Sequence, residues 1–247
     1  MHGWPRILVV FAFPVVAAAW VIYSQFDLTA ATRLTREGKL VQDTQVACLI
    51  GAAILGLRSV VRCWRVRQRR LIRNGFMVLV GLLILLALEE TNWGQDGLEY
   101  ESPEWIRAIS GQGSAPVSLH NLAVFQPYRH WLIILFGAVG ISLILLAGVF
   151  ARRGMNRNLL FFVPPRVFCI TLLIILFGGV FREVAGIRSK HGISFTQYRS
   201  WAGRFTEIAE LGVAVTALAY MGAKGRRLAR EAAEGSEIVD GVPDQRP

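Results

Sequence analysis

The sequence is short of charge, of histidine and above all of lysine. Charged residues fill 18% of its 247 positions, against about 25% in a typical soluble domain. The three cysteines, Cys48, Cys63 and Cys169, have no C-x-x-C spacing, which excludes a disulfide framework and a zinc knuckle. They read as small apolar fillers. Four histidines form neither H-x-x-x-H nor H-E-x-x-H. A P-loop, a dinucleotide fingerprint, a G-x-S-x-G elbow and an internal repeat are missing too. Lysine occurs only at Lys39, Lys190 and Lys224, and the other basic residues are arginine.

What fills the chain instead is apolar. Hydrophobic residues make up 53%, and mean hydropathy is +0.44. Apolar runs alternate with short basic or acidic connectors. This excludes a disordered chain and a typical soluble enzyme, and it predicts an all-α polytopic transmembrane bundle. Six spans are expected: Ile7–Tyr23, Gln45–Val61, Leu71–Trp93, Trp131–Phe150, Pro164–Phe181 and Phe205–Ala223. Each is near the ~20 residues that a ~30 Å hydrocarbon core requires. The first also resembles a signal peptide, with Ala17-Ala18-Ala19 as a cleavage site, but its apolar run continues through Ile22. Residues 1–230 then form one bundle domain, and 231–247, rich in Glu, Gly and Asp, a disordered tail.

Basic loops set the orientation. Arg62 to Arg73, Arg152 to Arg157, and Lys224 to Arg230 fall on one side if the spans number six. That side should be the cytoplasm of a bacterial inner membrane, with both termini inside. The net charge of +10 is therefore mostly topogenic, and nucleic acid is not an expected partner. One loop dissents, since Arg182, Arg188, Lys190, Arg199 and Arg204 fall outside.

Helix lengths measured against the bilayer bring carboxylates to that same outer side. Counting back ~20 residues from Lys224 places Glu207 and Glu210 in the outer leaflet, three apart on one helix face. Span three ends on Glu89, Glu90 and Trp93, and span five ends at Arg182-Glu183. A carboxylate in hydrocarbon costs at least ~2.5–3.5 kcal/mol, so such groups face a bundle interior or a wet cavity. The connector 94–130, 37 residues long, is expected to cap this end. Ser102-Pro103-Glu104 starts a short interfacial helix there. His120 and Asn121 lie near its close.

The string Glu89-Glu90-Thr91-Asn92-Trp93-Gly94-Gln95, followed by Pro103-Glu104, Gln112-Gly113 and Leu119-His120-Asn121, resembles an uncharacterised family of bacterial multi-pass membrane proteins. These carry an E-E-x-x-W-G-Q … P-E … Q-G … L-H-N pattern. The resemblance covers about 35 residues and brings no assigned chemistry. Ser102 stands where the pattern often has Thr, and Asp96 where it often has Arg.

Three functions are compatible with these residues. As an enzyme at the outer face, the chain would use Glu89, Glu90, His120, Glu207 and Glu210 as acid and base groups. Alternatively, Glu90, His120, Glu207 and Glu210 would hold a divalent metal. Trp93, Gln95, Asn121, Arg182, Arg199 and Arg204 would line a site for an anionic lipid or lipid-linked substrate, since guanidinium forks match phosphate oxygens. The same glutamates would suit a proton- or cation-coupled transport component. Ala52-x-x-x-Gly56 would suit a scaffold subunit that packs against another helix.

Overall fold

The computed structural model describes residues 39–65, 70–91, 129–154, 157–190 and 196–240, with isolated positions at 14, 15, 17, 19 and 104. All regular structure among them is helical. We label the helices α1 (Lys39–Arg65), α2 (Arg70–Glu90), α3 (Arg129–Arg152), α4 (Arg157–Leu160), α5 (Cys169–Lys190) and α6 (Thr196–Asp240), with a 3₁₀ turn at Arg166–Phe168 before α5.

Four segments are long and apolar enough to cross a membrane: Val41–Trp64, Arg70–Glu90, Trp131–Arg152 and Arg166–Val184. They mark the chain as a membrane protein, and they match four of the six expected spans. The expected first span and the cap 94–130 lie outside the described residues, apart from isolated positions and the start of α3. The expected sixth, Phe205–Ala223, falls inside α6 but is not one of the four.

Long-range contacts explain why α6 differs. It packs against α1 and α5, while α2 packs against α1 and α3 against α5. From Glu207 to Gly225 every side chain of α6 is buried or half-buried. The other four long helices expose rows of large apolar side chains, such as Ile50, Ile54, Leu57 and Val61 on α1. A helix enclosed by protein has no lipid to match, so it tolerates Glu207, Glu210, Thr216 and Lys224 along its length.

Small residues set how closely the helices approach, as in other membrane bundles. A Cβ built on Gly56 would lie 2.4 Å from Val80 Cγ2 and 2.5 Å from Met221 Cε. Three helices therefore meet at that glycine. Ala52 is fully buried on the same face, so the Ala52/Gly56 face expected to serve a partner is occupied within the chain. On the other flank, a Cβ on Gly137 would meet the Leu176 backbone nitrogen at 2.9 Å.

Element ends follow local chemistry. The Thr91 hydroxyl donates to the carbonyl of Leu88 at 3.1 Å, closing α2. Gly154, with φ 73°, ends α3 in the left-handed conformation glycine allows, its N–H donating to Ala151 O at 3.3 Å. Pro164 and Pro165 are expected in the first turn of span five. The structure places them just before it, because Pro165 has ψ 146°, an extended value no helix contains. At the other terminus α6 runs on to Asp240, through the start of the segment expected to be a disordered tail. Arg, Leu, Ala and Glu there are strong helix formers, and Arg227 pairs with Glu231 at 2.7 Å, one turn apart.

Candidate functional site

Two glutamines of α1 tie one end of the bundle together. Gln42 and Gln45, three apart, share a helix face. The Gln42 amide donates to the carbonyl of Glu90, at the end of α2. The Gln45 amide donates to the carbonyl of Glu207, in α6, at 3.3 Å. Gln45 is buried, where an unsatisfied amide would be costly. The start of α1, the end of α2 and the first half of α6 therefore lie at one level.

The end of α5 reaches the same level. Phe181 and Phe205 have ring centroids 6.4 Å apart, and Phe177 meets Phe205 at 6.1 Å. Arg182 and Glu183 follow Phe181 directly, and Glu207 lies two residues beyond Phe205. A Cβ on Gly178 would stand 2.8 Å from Ala209 Cβ, so these two backbones run close. Glu89, Glu90, Glu207, Glu210 and Arg182 are all half-buried.

Most described carboxylates gather at this end and most described arginines at the other, with Arg182 and Glu231 as exceptions. Asp43, Glu89, Glu90, Glu183, Glu207 and Glu210 lie at the end just described. At the opposite end are Arg58, Arg62, Arg70, Arg73, Arg152, Lys224, Arg226, Arg227 and Arg230. Contacts fix that second end independently. Arg62 donates to Gly225 O at 3.1 Å, and Phe76 of α2 packs edge-on against Phe161 and Phe162.

Of the expected site residues, the backbone of α6 carries Arg199 and Arg204 upstream of Glu207. Trp93, Gln95, His120 and Asn121 lie outside the described residues. Among the described residues no group of three or more His, Cys, Asp or Glu side chains is placed to hold a metal. The expected ligand set of Glu90, His120, Glu207 and Glu210 has His120 beyond that boundary.

Two polar groups stand out that sequence reasoning passes over. Lys224, which reads as a topogenic flank, is only 4% exposed. Its ammonium donates to the carbonyls of Phe161 and Val163, the latter at 2.7 Å, and stands 5.2 Å from the Phe161 ring centre. Tyr220, one turn earlier, donates to Phe162 O at 2.6 Å. Three successive carbonyls of the α4–α5 connector are thus held by α6. The sequence signal was a lysine in an arginine-rich chain, four residues after a tyrosine. The other group is Thr216, whose buried hydroxyl has no partner among the described residues.

No protein-family model, no curated protein and no solved structure matches the chain.

Proposed function

We propose that the chain is an enzyme of the bacterial inner membrane that works at the outer face on a lipid or envelope-linked substrate. Glu89 and Glu90 at the end of α2, with Glu207 and Glu210 of α6, would be its acid and base groups or the carboxylate ligands of a divalent metal. His120 would complete the set from the cap. Arg182, Arg199 and Arg204 would meet an anionic headgroup, with Trp93, Gln95 and Asn121 lining the site. In this proposal six helices cross the bilayer, α6 as the central one, with both termini in the cytoplasm.

The observation that supports it is the pair of bonds from Gln42 and Gln45 to the carbonyls of Glu90 and Glu207. Adjacent turns of one helix hold the two carboxylate-bearing segments at a common level. Two potential acid/base groups at one level are what proton transfer to and from a bound substrate requires. The test uses purified protein in nanodiscs supplied with total envelope lipids, with products followed by mass spectrometry. Conversion by the wild type that E90Q and E207Q abolish is expected. Conversion unchanged in both variants would refute the assignment.

A second function is favoured by the position of α6. It carries Glu207 and Glu210 at one end, Thr216 midway and Lys224 at the other, with no side chain from Glu207 to Gly225 fully exposed. A polar helix packed between apolar ones is also the design of a proton- or cation-coupled transporter. Flux into proteoliposomes that E207Q abolishes, without lipid turnover, would select this function over the enzyme.

A further inference from the structure

At the basic end, the seam between α1 and α6 collects arginines in a place where lipid should be. Arg58 lies inside the apolar segment Val41–Trp64, about 9 Å of helix short of its end. Its side chain is exposed. Leu55, Arg58 and Arg62 recur at three- and four-residue spacing, along one edge of α1. That edge borders α6. A Cβ on Gly222 would be 3.6 Å from Leu55 Cδ1 and 3.6 Å from Arg226 Nη1, and Arg62 Nη1 donates to Gly225 O at 3.1 Å.

The surroundings identify what such a cluster would bind. On the side of α1 next to this edge, Ile54, Leu57, Val61 and Trp64 are exposed, a bed for acyl chains ending in an interfacial tryptophan. Glu231, a carboxylate at this end, is engaged by Arg227 at 2.7 Å. An arginine at this depth snorkels toward phosphate level. Its planar fork matches two phosphate oxygens where lysine offers only a point charge. We propose that Arg58, Arg62 and Arg226 form a seat for the phosphate of an anionic phospholipid at the α1–α6 seam. The seat lies at the opposite end of the bundle from the carboxylates, and it does not depend on the function proposed for them. It also gives these three arginines a ligand in addition to any role in orientation.

The test is native mass spectrometry of the full chain in non-ionic detergent, titrated with phosphatidylglycerol or phosphatidylcholine of identical acyl chains. The wild type is expected to prefer phosphatidylglycerol about tenfold, a difference of about 1.4 kcal/mol. R58Q/R226Q keeps the bond from Arg62 to Gly225 and is expected to lose that preference. R152Q/R153Q, at the end of α3, is expected to keep it. If R58Q/R226Q does not fold, R58K/R226K keeps the charge without the fork and should bind about threefold more weakly. A wild type that does not discriminate would overturn the proposal. So would equal loss in R152Q/R153Q, undiminished binding by R58K/R226K, or displacement of the lipid by millimolar inorganic phosphate.

Discussion

Lys224 of α6 holds the carbonyl of Val163 at 2.7 Å, joining two segments sixty-one residues apart in sequence. With Tyr220 it captures three consecutive carbonyls, those of Phe161, Phe162 and Val163. The connector between α4 and α5 is therefore fastened to the central helix at the basic end.

Removing that fastening should destabilise the bundle. In K224M two carbonyls lose their donor, at about 1–3 kcal/mol for each group left unsatisfied. Y220F removes a single neutral bond and should cost about 1 kcal/mol. Thermal unfolding in detergent should rank the proteins wild type, Y220F, then K224M. K224M as stable as the wild type would show that the clamp carries no load.

Gly56 should be intolerant of side chains. Val80 and Met221 leave 2.4 and 2.5 Å to a Cβ there, so G56L must separate three helices, at about 1–3 kcal/mol or more. Gly81 of α2 has nothing within 4 Å of its Cβ position. G81A should be neutral, or stabilising by up to about 1 kcal/mol through helix propensity. Denaturation of both variants in mixed micelles checks the contrast.

Gln45 should hold α6 in register. Q45L removes the side-chain donor to Glu207 O, which keeps its own helical partner, and should cost about 1 kcal/mol. Hydrogen exchange should speed up around Glu207 and stay unchanged around Lys224. Uniform acceleration along α6 would mean the bond supports the whole helix and not this end.

How much of this was readable in advance varies from residue to residue. The spans now seen as α1, α2, α3 and α5 were legible because apolar runs between arginine flanks need only local composition. The level shared by Glu90 and Glu207 was legible as well, because helix rise and bilayer thickness fix it from counting alone. Gln42 and Gln45 were not, since their role depends on which helices flank α1. The clamp made by Lys224 is hidden for the same reason: a basic residue after an apolar run looks topogenic, and nothing local shows the 161–163 connector beneath it. The helix beyond Glu231 is hard to read because low hydropathy points to disorder there while the Ala and Glu residues favour a helix.

The carboxylate end stands or falls on one comparison in living cells. Envelope lipids and lipid-linked glycans would be profiled by mass spectrometry in cells carrying the wild type, a deletion, E207Q or E231Q. The deletion should accumulate one substrate class, E207Q should reproduce that profile, and E231Q, at the opposite end of the bundle, should match the wild type. An E207Q profile identical to the wild type, beside a deletion that differs, would contradict a working site at Glu207.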